Sequence, residues 1–420
     1  MSLPYLTASL PGLGGSIKQR PEDFFVQELP LYEPSGQGEH VYCEIQKAGV
    51  STFDAVERIA RALDVHPRDI GYAGMKDAHA VTRQTLSIWG TTEEAVLALK
   101  IPGIDVLWAR RHANKLRIGH LKGNRFAIRI RDVKGTDVVK VQPIVDVLGS
   151  RGMPNYFGEQ RFGRRGNNHL LGAALIRGDD REILRLLLGD PLIGVDDAQA
   201  MGARKAFDRG DLKGAMKLMP RRNGMERRVL ARLIKTGKPA AAVKVIDEHL
   251  RRLWVSALQS KLFNDVVALR IDTLDRILPG DLAWKHENGA VFHVTDAPAE
   301  QPRCDRFEIS PTGPLVGYRM TLPDGRPLAI EEGVFESHQL KPADFRVEGH
   351  HKVKGARRPL RVRPEDLQIA GGVDEFGDHI TVAFTLPAGC FATALLREIM
   401  KEDAALPEPS VDTPASNEPE

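Results

Sequence analysis

At 420 residues, with 42% hydrophobic and 27% charged side chains, the chain has the balance of an ordinary folded protein and the length for two domains. No apolar run approaches the roughly 20 residues that span a bilayer, and the N-terminus lacks the basic opening and continuous apolar stretch of a signal peptide. Cys43, Cys304 and Cys390 lie far apart with no C-x-x-C spacing. That argues against a zinc site or disulfide framework and for a cytoplasmic protein with reduced thiols.

The net charge of +3 hides an asymmetry, because the six acids from Glu402 to Glu420 are accompanied by no Lys or Arg. The basic residues are clustered: eight with no acid over Arg110–Arg131, eleven against three acids over Arg204–Lys235, and seven against one over Arg346–Arg363. Any one cluster reads most simply as a solvated face. Three in one chain favour a polyanionic partner, since each phosphate neutralised also releases counterions.

In chain order, Pro21–Glu28 (PEDFFVQE) reads as a strand with an apolar centre, where Phe24 would ordinarily be core. GEHVYCEIQKAG alternates, with Val41, Cys43 and Ile45 on one face. Phe53, Val56, Ile59, Ala60 and Leu63 predict a helix over 52–63, capped by Ser51 or Thr52. Ile70 and Tyr72 then lead into GYAGMKDAHAVT, and TRQTLSIWG leaves it as an alternating strand. Asp77, beside Lys76 and the permissive Gly74, therefore sits at a loop tip between two strands. A carboxylate anchored there suits a nucleophile or a base, although turn-forming is the commoner use of such an Asp.

KLRIGHLKGNRFAIRIRDV reads as two strands around a turn at Lys122–Asn124. A helix is expected over Thr136–Leu148, followed by MPNYFGEQRFGRRGNNHLLG. From Asn168 to Ile271 the pattern is helical, with one long run from Ala240 to Ile271. SPTGPLVG, from Ser310, reads as a Pro/Gly turn, RRPLRVRP and HITVAFTLP as strands, and GCFATALLREIMKED as a helix opening after Gly389. From Ala404 the chain is Pro-rich and acidic and is expected to be disordered. The sequence holds no P-loop, Rossmann fingerprint, H-E-x-x-H or internal repeat, and the His350–His351 pair has no second ligand cluster.

Gly74, Lys76, Asp77, Ala80 and Thr82 fill the pattern G-x-K-D-x-x-A-x-T, and in this the loop resembles the signature of the tRNA pseudouridine synthase D (TruD) family. Other segments follow in family order. PEDFFVQE resembles P-x-D-F-x-V-x-E, the stretch around Asn124 resembles G-H-L-K-G-N-x-F, and Asn155–Gly163 resembles N-Y-F-G-x-Q-R-F-G. Ser260, Leu262, Phe263, Asn264 and Arg270 match a helix motif, and Phe391–Glu398 match S-F-A-T-x-x-x-R-E except that Cys390 replaces its serine. Ala78, where a basic residue is common, and the basic stretch around Arg204–Lys235 depart from the pattern.

The resemblance implies an α+β fold. A pseudouridine synthase-type catalytic domain on a mixed, largely antiparallel sheet would comprise residues 1–152 and 343–402. A mainly helical α/β insertion would occupy 153–342, and an acidic tail 403–420. It also implies Asp77 as the catalytic carboxylate, Phe24 and Phe391 as aromatics near the target base, Asn124 in the active site, and uridine 13 of tRNA as substrate. Lys76 would favour the ionised carboxylate or contact phosphate. Isomerising uridine moves no electrons and loses no group, so neither cofactor nor metal is required. The alternative from another class is a non-catalytic RNA-binding protein with a structural Asp77; a tRNA-modifying enzyme with a bound cofactor lacks any cofactor motif.

Overall fold

The structure, a computed structural model, describes residues 3–347 and 351–401. The expected acidic tail and His350 lie outside the described residues. The chain divides into two compact units: Thr7–Met153 with the chain from Arg363 onward, and Pro154–Val362 with the N-terminal residues up to Leu6. Residues 343–362, grouped with the C-terminal return in the sequence reading, cluster with the second unit.

The first unit is built on period-two segments, most of which form strands where the alternation places them. They are β1 (Phe24–Pro30), β2 (His40–Ala48), β3 (Ile70–Tyr72), β4 (Val81–Trp89), β5 (Ile104–His112) and β6 (Leu121–Ile130), with Glu365–Asp374 and Gly377–Pro387 returning from the far end of the chain. The sheet order is 365–374, 377–387, β6, β1, β4, β2, β5, with β3 also on β4. Only β1 and β4 are parallel, so the sheet is mixed and largely antiparallel. The helix α1 (Thr52–Leu63) lays Ala55, Val56, Ile59 and Ala60 against Val41, Cys43, Ile45, Leu86 and Ile88. Phe53, expected on that stripe, is instead exposed.

Three expectations change. Lys122–Asn124 is no turn, because β6 runs straight through it. Gly123 is needed there for clearance, since a Cβ would lie 2.3 Å from the Leu386 carbonyl on the neighbouring strand. SPTGPLVG is likewise a strand, Ile309–Leu315, in which a Cβ on Gly313 would meet Leu360 at 2.8 Å and the Phe263 ring at 3.1 Å. Both glycines read as turn punctuation but serve close packing. The long run from Ala240 is two helices, Pro239–Val243 and Glu248–Leu269, interrupted at the non-helical Asp247.

In the second unit a four-stranded sheet runs in the order 356–359, 309–315, 282–285, 291–293. Helices between Asn168 and Leu269 bury their own cluster, including Leu171, Leu184, Leu187, Leu230 and Trp254. The NYFG string belongs to this unit's packing. Asn264 accepts a hydrogen bond from the Phe157 N–H (2.8 Å) and donates to the Phe157 carbonyl (3.0 Å), while Arg161 reaches Ser260 Oγ at 3.2 Å. Among the described residues no helix is long and apolar enough to cross a membrane.

Candidate active site

Strand register assembles this site within the first unit. Because β1 and β4 run parallel with Phe25 opposite Val81, the loop entering β4 lies beside the start of β1. On the other side of β4, Ala48 pairs with Val81 and Lys47 with Thr82, so the end of β2 lies at the base of the same loop. Across β1, Glu28 pairs with Asn124, which in turn pairs with Leu386. Residues from β1, β2 and β6 thus converge on the loop that carries Asp77.

The Asp77 carboxylate is about 38% exposed and has two partners. Oδ1 accepts the His79 N–H at 3.0 Å, the turn-forming bond that the bland sequence reading anticipates. Oδ2 pairs with the ammonium of Lys18, which also stands 4.6 Å from the centroid of the Phe24 ring. Burial pushes the Asp77 carboxyl up, but the Lys18 ammonium and the His79 N–H outweigh it and hold the group below its usual range. The carboxyl is therefore an anion at neutral pH.

Lys47 is 1% exposed, and its ammonium donates to the carbonyls of Val50 (2.6 Å), Asp77 (3.3 Å) and Lys76 (3.5 Å). Burial brings it down to about 8. Thr52 ties α1 to the same loop: its hydroxyl accepts the Lys76 N–H at 2.8 Å and donates to Gln84 Oε1 at 2.9 Å, while Ser51 caps the helix through Asp54 N–H. The loop is clamped from below by side chains.

The Lys76 ammonium is turned to Asn124 Oδ1 (2.6 Å) and Glu28 Oε2 (3.1 Å), and Lys18 is the cation that pairs with Asp77. Glu28, 2% exposed, sits where β1 and β4 part. Gln27 opposite Arg83 is the last pair, and the Glu28 carboxylate accepts the Thr85 N–H at 3.4 Å. Burial pushes the Glu28 carboxyl up, only partly offset by Lys76. Phe24 is 6% exposed. Phe391 is half-buried and caps the helix Ala392–Met400, four residues beyond Pro387, which pairs with Gly123.

Sequence reasoning missed Lys18, Glu28, Lys47 and Thr52. Two of them carried a signal, since Glu28 shares parity with Phe24 and Val26, and Lys47 with Val41, Cys43 and Ile45. A charge on the apolar side of an alternating strand asks for a partner. Lys18, which adopts a positive φ of 60°, carried none.

A family model described as tRNA pseudouridine synthase D (TruD) matches residues 1–399. The chain belongs to this family. It is 49% identical over 398 residues to the tRNA pseudouridine synthase D of Geobacter metallireducens, covering 94% of this chain and 97% of that one. To the Geobacter sulfurreducens protein of the same name it is 48% identical, covering 94% and 96%. A crystal structure of the putative tRNA pseudouridine synthase D from Methanosarcina mazei superposes with a TM-score of 0.84 at 28% identity, covering 96% of this chain and 99% of that one. Within the matched residues, Gly74–Thr82 is the loop that Lys18, Lys47 and Thr52 hold in place.

Proposed function

We propose that the chain converts uridine to pseudouridine in tRNA, at uridine 13, with Asp77 as the reacting carboxylate. The observation that carries this reading is an ionised, partly exposed carboxylate, paired with Lys18, on a loop clamped by Lys47 in a member of the TruD family. The reaction breaks the C1′–N1 bond, turns the uracil, joins C1′ to C5 and moves the C5 proton to solvent while N1 gains one. A carboxylate can attack C1′ or remove a sugar proton; either role requires the anion that Lys18 favours.

The remaining assignments follow the same proposal. The uridine must leave its stack, at a cost of a few kcal/mol. Phe391, half-buried, returns about 1–3 kcal/mol by stacking on the extruded base. Phe24 lies beside that base and supports Lys18 from beneath. Lys76 holds the oxygen end of the Asn124 amide, which orients its NH2 group as a donor to a uracil carbonyl.

Asp77→Asn tests this. Asn keeps the size and can still accept the His79 N–H, so fold and tRNA affinity should persist while pseudouridine in tRNA from modification-deficient cells falls below detection. Site mapping in the wild-type reaction should place the product at position 13. Wild-type turnover by the Asn variant would reduce Asp77 to a turn residue.

A further inference from the structure

All three basic stretches lose arginines to the interior. Arg131 is buried against Asp23 (2.6 Å) and Asp374 (2.7 Å). In the third stretch Arg357 is buried on Glu331 (2.5 Å), and Arg361 on the Ser310 hydroxyl (3.2 Å) and the Cys304 carbonyl (2.5 Å). In the middle stretch Arg204 is buried on the Leu187 carbonyl and Asp196, and Arg227 donates to the Met219 carbonyl. Nine basic side chains between 205 and 235 nevertheless stay exposed, against two exposed acids, Asp208 and Asp211.

Both acids are already engaged by backbone. Asp208 accepts the Asp190 N–H at 3.2 Å, and Asp211 accepts the Gly214 N–H at 2.8 Å at a helix start. Arg222 and Arg228 pair with Asp197 and Asp247. The other exposed bases have no acidic partner among the described residues. They follow helical spacing: Lys205 and Arg209 at the end of Ala198–Asp208, Lys213 and Lys217 on Leu212–Leu218, and Arg232 and Lys235 on Gly224–Thr236. The apolar side of the last helix, Val229, Leu230 and Leu233, faces the core, and Arg232 and Lys235 lie on its exposed side. A face serving only solubility would mix signs more evenly than nine exposed bases against two exposed acids.

We propose that these three helices form an RNA-backbone-binding surface that holds the tRNA independently of the nucleotide presented to Asp77. The proposal rests on the tRNA reading above. Phosphates are its ligand: long basic side chains at intervals of three and four residues give point charges without the planar, donor-rich pockets that read bases.

The test is binding of an unmodified tRNA transcript across a salt series by the full chain. The variant replaces Lys205, Arg209, Lys213, Lys217, Arg232 and Lys235 with Gln. It should bind at least about tenfold more weakly at 0.1 M salt and flatten the slope of log affinity against log salt by about 2 or more. Turnover should suffer through KM rather than kcat. The ion-paired control Arg222→Gln/Arg228→Gln should change the slope by less than about 1. A smaller variant, Lys213→Gln/Lys217→Gln, should move affinity and slope in the same direction and covers the case in which six substitutions impair folding. Unchanged affinity and slope in a folded variant would overturn the proposal and leave a solvated face or a protein-binding one. Failure of the Asp77 reading is distinguishable, since it would show as pseudouridine formed by Asp77→Asn.

Discussion

Lys18 and Asp77, 59 positions apart, share an ion pair in which the lysine side chain is 4% exposed and the carboxylate 38%. The cation is thus the anchored member and the anion the accessible one. Removing Lys18 leaves burial, which pushes the Asp77 carboxyl up, opposed mainly by the His79 N–H. Lys18→Met should therefore lower kcat and move the acid limb of the pH–rate profile upward. An acid limb that stays in place would show that Lys18 does not control the ionisation of Asp77.

Lys47→Met should disorder the Asp77 loop without unfolding the protein. Three carbonyls lose their donor, and a displaced carboxylate lowers kcat by about 10- to 100-fold with little effect on KM for tRNA. The substitution also changes stability against pH in a defined direction. With Lys47 near 8 in the fold and about 10.4 unfolded, the unfolded chain holds the extra proton between those values. Stability therefore rises with pH across that window, and the burial cost is fully present below it. Chemical denaturation at pH 7.5 and 9.5 should show this gain in wild type and a smaller one in the variant; equal gains would mean that Lys47 does not titrate there.

Lys76→Met should cost about 3–5 kcal/mol, because it leaves the Glu28 carboxyl buried without its cation. Adding Glu28→Gln should recover much of that loss, since the uncompensated charge is gone. Denaturant melts of the two single variants and the double close the cycle, and strict additivity would mean that the pair is not coupled.

The helix 52–63, the strand alternation and the loop position of Asp77 were legible because one period dominates each segment. Local chemistry misled where long-range packing set the requirement. Gly123 and Gly313 signalled turns because the strand or ring that needs their missing Cβ lies 263 and 50 positions away, at Leu386 and Phe263. Glu28 and Lys47 were readable as charges on apolar faces, but their partners were not, since Lys76 and the loop carbonyls meet them only once β1, β2 and β4 are in register. Lys18 shows the limit: its role depends on a parallel strand pair that no local pattern announces.

The central sheet is sewn from both ends of the chain. Gly377–Pro387 pairs with β6, the N–H groups of Leu13 and Gly14 bond to the carbonyls of Ile399 and Met400, and Thr7 bonds to Glu398. At about 5–20 residues per second, β6 leaves the ribosome tens of seconds before the strand it must pair with. Until then its outer edge is unpaired and Asn124 lacks the neighbour at Leu386. Asp77 and Lys18 are both made early, yet the sheet carrying them is completed only once residues 365–387 have been made. A nascent or C-terminally truncated chain that lacks residues 377–387 therefore carries the Asp77 loop without its finished scaffold.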